Sequence, residues 1–167
     1  MWRKVEGHFK NHPERLAVSR VLVENGLSVK EERIFCNKIE IATINIARLA
    51  GVDRRTVKET VKMINKTSEL QSIFQYLRSS GHSLKEIAKY LNLGVVEITP
   101  IDAKIPGILA GSTNLLAERN ISVRQALVDD PELSPEPMLT LIADVKIPGG
   151  LIPKLLKIRG VEKVSVY

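Results

Sequence analysis

Residues 43–64 read TINIARLAGVDRRTVKETVKMI, and the fold of the N-terminal half turns on that stretch. Ile46, Ala47 and Leu49 give a helix from about Thr43 to Ala50 its apolar face, and Ala47 is small enough to let a second helix approach closely. Gly51 permits a tight turn because it takes a positive φ at no steric cost. Val52 fills the angle between the helices. Asp53 is a good N-cap, since its carboxylate accepts orphan N–H groups of the next turn. The following helix, about Arg54 to Asn65, turns Val57, Val61 and Ile64 inward. Arg54, Arg55, Lys58 and Lys62 then lie on or near its outer face, with Thr56 near its start. This is the pattern of a helix-turn-helix, whose second helix reads the DNA major groove with cations near its N-terminal end. Arg55 suits a guanine edge, and Lys62 and Thr56 suit phosphates. The alternative is a helical hairpin that only packs and carries a solvated basic face, and Glu59 on the same side favours it mildly.

Upstream, Pro13 to Leu27 is expected to be a helix, with proline in its first turn and Asn25-Gly26 ending it. Ile34 to Ile41 alternates around Asn37-Lys38, as a short hairpin does, and no wing follows the third helix. Residues 1–66 thus form the helix-turn-helix domain. Residues 67–93 read as a helical connector. Glu69 to Ser80 is helical and broken by Gly81, and the S-x-x-E pattern of Ser83 to Glu86 caps a short helix that runs to Leu91. Ile87-Ala88-Lys89-Tyr90-Leu91 echoes Ile46-Ala47-Arg48-Leu49 but leads into a strand, so it reads as structural.

From residue 94 onward the period changes. Strands are expected at 95–101, 121–128, 138–145 and 161–166, and helices at 107–118 and 150–158, with a proline-rich acidic loop at 129–137. The order β-α-β-β-α-β is that of a ferredoxin-like domain, so the chain is α+β in class. This half, residues 94–167, resembles an ACT domain. The residues carrying the likeness are Asp102, then Ile105-Pro106-Gly107-Ile108-Leu109, then Leu115 to Val123 (LLAERNISV), and Gly160 to Val164. Ala103-Lys104-Ile105 makes the spacing from Asp102 to Pro106 longer than is usual in that family. With the N-terminal half included, the chain is similar to archaeal regulators of amino-acid metabolism that join a helix-turn-helix to an ACT domain. The resemblance implies a small-molecule effector, an amino acid above all. It would bind around Asp102, Pro106, Gly107, Ile108, Leu109, Asn120 and Ile121, between subunits of a homodimer or higher homo-oligomer. The residues add a physical reason: the N–H groups of Gly107, Ile108 and Leu109 at a helix start suit a carboxylate. Equally, Pro106-Gly107 is read as a plain tight turn and Asn120 as a left-handed helix cap.

Composition bounds the rest. Of 167 residues, 44% are hydrophobic and 26% charged, as in ordinary globular domains. The net charge is +6, and its placement matters more than its size. Residues 1–66 hold 14 Lys and Arg against 8 Asp and Glu, whereas residues 67–167 are balanced. Such asymmetry points to a polyanionic partner for the basic half. Cys36 is the single cysteine, which excludes an internal disulfide and a cysteine cluster. His8 and His12 are four apart, but His12 precedes Pro13, which disfavours helix there and separates the two rings. No metal or other cofactor is expected. Asp129-Asp130 reads as a solvated pair, and Gly149-Gly150 is too little for a phosphate loop. No nucleophile–base set appears, so an enzyme is not expected. Neither a secretory leader nor a membrane span is visible, and a cytoplasmic location is expected. Two functions remain open: a ligand-responsive transcriptional regulator, and a regulatory subunit that binds a metabolic enzyme instead of DNA.

Overall fold

The computed structural model describes residues 1–167 and divides them into two compact units, Met1–Gly81 and His82–Tyr167. The segment read as a connector is thereby shared out. Its first helix belongs to the N-terminal unit and its second to the C-terminal one, with no regular structure over residues 77–84. No helix is long and apolar enough to cross a membrane.

The first unit opens with α1 (Trp2–Phe9), which the sequence reading did not anticipate. Its signal is the spacing of Trp2, Val5 and Phe9, all buried on one side. Then come α2 (Pro13–Glu24), β1 (Leu27–Lys30), β2 (Arg33–Cys36), β3 (Ile39–Ile41), α3 (Thr43–Ala50), α4 (Arg54–Lys66) and α5 (Ser68–Phe74). The expected hairpin at 34–41 is present as β2 and β3, with Ile34 opposite Ile41. It extends to a three-stranded antiparallel meander, because α2 stops at Glu24 and Leu27 starts a strand. The β1–β2 turn places Glu31 and Glu32 at φ 49° and 62°. That is the sense of twist a two-residue hairpin needs, here without a glycine.

Gly26, between α2 and β1, receives the chain that follows α5. A Cβ there would lie 2.5 Å from the backbone nitrogen of Ser79 and 2.6 Å from its Cα. The chain leaves the helix expected over 69–80 after Phe74 and passes against Gly26 at Arg78 and Ser79. The core of the unit gathers Phe9, Leu22, Val29, Ile34, Ile46, Val57, Val61, Ile64, Leu70 and Phe74, all at or below 3% exposure.

The second unit begins with a 3₁₀ segment, Lys85–Leu91. It continues through β4 (Gly94–Pro100), α6 (Ile108–Ala117), β5 (Val123–Val128), β6 (Leu139–Ala143), α7 (Ile152–Leu155, entered by a 3₁₀ turn at Gly149–Leu151) and β7 (Val161–Val166). The sheet order is β5-β6-β4-β7, antiparallel throughout. This is the ferredoxin-like arrangement expected from the β-α-β-β-α-β order. Ile108 and Leu116 from α6, Leu151 from the 3₁₀ turn and Leu155 from α7 pack with Val96, Ile98, Leu139 and Leu141, so both helices lie on one face of the sheet. The helix expected over 150–158 is shorter than that. The segment at Lys85 covers part of the other face, where Ala88 and Leu93 meet Val95 and Ile142. Ser83 does not form the expected capping box; its Oγ accepts from the Lys85 N–H at 3.3 Å, two residues on.

Candidate nucleic-acid interface and ligand cavity

The turn between α3 and α4 closes as the sequence demands. Gly51 stands at φ 67°, ψ 32°, the Val52 N–H donates to the Ala47 carbonyl at 3.0 Å, and the Gly51 N–H to the Arg48 carbonyl at 3.4 Å. This pair of bonds is the Schellman stop, which satisfies the last carbonyls of the helix. Asp53 caps α4 by accepting from the Arg55 N–H at 2.6 Å. Val57, Thr60, Val61 and Ile64 are buried. One correction concerns α3: Leu49 is not part of its inner face but 65% exposed, and Ile46 and Ala47 alone are buried there.

At about 100° per residue the buried stripe of α4 fixes where its cations point. Arg55, Lys58, Lys62 and Lys66 are exposed on the flank and back opposite it, and Arg54 is exposed beside them. Lys66, and Arg48 on α3, are two further exposed cations outside the expected set. Lys66 was legible, since 54, 58, 62 and 66 form one series at intervals of four. Lys58 and Lys62 make no ion pair. The arginines are held: Arg54 Nε donates to Thr43 Oγ1 at 3.1 Å, and Arg55 Nε to Glu59 Oε1 at 3.2 Å. Glu59 also takes Nη2 of Arg15 from α2 at 2.9 Å. That Arg15 bond, with the charges of Arg15 and Arg55, holds the Glu59 carboxyl below its ordinary value. The Thr56 hydroxyl, expected at a phosphate, donates to Glu14 of α2 at 3.1 Å.

In the second unit the start of α6 faces an apolar cavity of about 220 Å³. Gly107, Ile108 and Leu109 line it, together with Ile98, Ile105, Met138, Leu139 and a single charged residue, Asp129. The Asp129 carboxylate is partly engaged, accepting from the Met138 N–H at 3.1 Å. The other four residues expected at a ligand site do not join this cavity. Asp102 accepts from the Lys104 N–H at 2.9 Å, which closes a turn, and borders a separate depression with Glu162 and Lys163. Pro106 is exposed outside it. Asn120 lies past the far end of α6, roughly 15 Å along a ten-residue helix, at φ 56° as a left-handed cap. Ile121 is 7% exposed and packs within the core of the unit. The described residues contain no group of three or more metal-ligating side chains.

No protein-family model matches the sequence, and no curated protein matches it. Among solved structures, the chain is similar over 93% of its length to the leucine response regulatory protein LrpA of Mycobacterium tuberculosis. The identity is 15%, 90% of that chain is covered, and the TM-score is 0.29. A transcriptional regulator of Neisseria meningitidis, solved as a complex with L-Met, aligns with 92% of the chain and 86% of its own at 10% identity and TM-score 0.28. AsnC of E. coli aligns with 93% and 88% at 15% identity and TM-score 0.26.

Proposed function

We propose that the chain is a ligand-responsive DNA-binding regulator, with α4 as its recognition helix. What carries the reading is the face of α4: five exposed cations, of which Lys58 and Lys62 are paired with nothing, on a helix fixed at its start by Asp53 and by the glycine turn. Arg54 and Arg55 sit in the first turn, where base contacts are made, and Lys58 and Lys62 further along suit phosphates. In this reading the second unit is a sensing domain of the ACT kind, and its effector is a small metabolite, an amino acid first among candidates. The cavity at Gly107, Ile108 and Leu109 is where such a ligand enters. A homodimer or larger homo-oligomer presents two α4 helices to two half-sites, and effector binding alters their spacing.

The test is duplex DNA binding against salt concentration. Affinity is expected to fall steeply as salt rises, and Lys58→Ala with Lys62→Ala should lower the slope of log affinity against log salt by about 2 while leaving the melting point unchanged. Affinity that does not respond to salt defeats the reading. In parallel, amino acids are screened for a rise in melting temperature, the sign of a ligand that binds the folded state. The rival reading, a regulatory subunit docking an enzyme, draws on the exposed Leu49 and Ile44 of α3, and retention of an enzyme without any DNA binding supports it.

A further inference from the structure

Glu59 stands in the cationic face of α4, where a carboxylate weakens any contact with a polyanion. Its two oxygens are divided between two arginines. Oε2 accepts from Arg15 Nη2 at 2.9 Å, and Oε1 from Arg55 Nε at 3.2 Å. Arg15 is itself fixed on α2, only 28% exposed, with Nη1 3.8 Å from Met63 Sδ. Glu59 is therefore anchored on its inner side and grips Arg55 on its outer side. A guanidinium carries its donors in a planar fork. With Nε taken by Glu59, the edge formed by the two terminal nitrogens is the one left over. Arg55 is 86% exposed, so that edge is open to solvent. The O6 and N7 acceptors of guanine in the major groove match such a paired edge. Arg54 repeats the device, its Nε held by Thr43 Oγ1 from the start of α3.

We propose that Glu59 is a positioning residue for base recognition: it touches no DNA, and it fixes the Arg55 guanidinium so that its terminal edge reads a guanine, as Thr43 does for Arg54. The inference rests on the DNA-binding reading above. Its physical content is a trade. An arginine already ordered loses less conformational freedom when it meets its base, so the gain falls on the matching sequence alone. The negative charge of Glu59 weakens binding to every sequence equally. Removing Glu59 should therefore tighten non-specific binding and lower the ratio of specific to non-specific affinity, which loss of fold does not do.

The experiment selects duplexes from a randomised pool with the full-length protein. It then measures affinity for the selected duplex and for an alternating adenine–thymine duplex, in wild type, Glu59→Ala, Glu59→Gln and Arg55→Lys. Glu59→Ala is expected to tighten binding to the adenine–thymine duplex more than binding to the selected duplex, so that their ratio falls by up to about tenfold. Glu59→Gln keeps an acceptor for Nε and should retain part of the ratio; it also carries the test if Glu59→Ala does not fold. Arg55→Lys should lose the preference for guanine at one position of the site. An unchanged ratio in folded Glu59 variants overturns the positioning role while leaving DNA binding intact. Failure of the wild type to retain any duplex at low salt overturns both.

Discussion

Gly51 and Gly26 both stand at positive φ, 67° and 60°, yet they are needed for different reasons. Nothing lies within 4 Å of a Cβ built at Gly51, so only its backbone conformation excludes other residues. At Gly26 the same Cβ would strike the backbone of Arg78 and Ser79. Gly51→Ala is therefore expected to cost about 1 kcal/mol, the price of a left-handed alanine. Gly26→Ala should cost about 3 kcal/mol, because backbone must also move. Urea midpoints at constant m decide it; equal losses would mean that the Ser79 crossing does not hold the unit together. The turn role of Gly51 was legible from its place between two helical patterns. The packing role of Gly26 was not, since it depends on a segment more than fifty residues away. Glu59 makes the same point: in sequence it counts against a basic face, and only the positions of Arg15 and Arg55 give it a role.

At the scale of elements, the segment Lys85–Leu91 departs furthest from expectation. A 3₁₀ run of seven residues is long for its kind, and its start is tied down. Gln125 of β5 takes the Leu84 N–H on its Oε1 at 2.9 Å and donates from Nε2 to the His82 carbonyl at 2.6 Å. Lys85 reaches Glu97 in the centre of the sheet at 2.5 Å, where Oε1 is buried and has no other partner. The bond to Glu97, partly offset by desolvation, raises the Lys85 pKa. The pair thus contributes stability fully below the ordinary lysine value of 10.5 and loses it as pH rises through the higher folded value. Lys85→Met strands a carboxylate inside the sheet and is expected to cost about 2 kcal/mol at neutral pH. Adding Glu97→Gln should return most of that loss. A double variant no more stable than the single one, by thermal or chemical melting, would show that the pair does not act as a unit. Periodicity placed a helix here, but hydrogen bonds from a distant strand set its kind.

For the molecule as a whole, charge and domain division coincide. Residues 1–81 hold 15 Lys and Arg against 9 Asp and Glu, and residues 82–167 hold 10 of each, so the entire surplus belongs to one unit. Ser80, Gly81, His82 and Ser83 are exposed and outside any helix or strand, the kind of segment that proteases cut first. A broad-specificity protease at low dose is expected to yield two resistant fragments, each about half the 18.6 kDa mass. First cuts elsewhere, or immediate digestion of one fragment, would refute the boundary at Gly81. The boundaries read from sequence, at 66 and 93, missed it because Leu70 and Phe74 are buried in the N-terminal core while Ala88 packs on the sheet.

By itself, the sequence determined what is local and periodic. It set the α3–turn–α4 pattern, the β2–β3 hairpin, the β-α-β-β-α-β order and the location of the cations, since these follow from apolar spacing, caps and turn residues within a few positions of one another. Tertiary structure decided what depends on residues remote in the chain. It made Leu49 solvent-exposed and Ile121 core, set Asn120 a helix length from Gly107, and ended α5 at Phe74. It also gave Glu59 two arginines to hold. Burial and hydrogen-bond partners are properties of surfaces that meet only after folding, and no local pattern encodes which surface arrives.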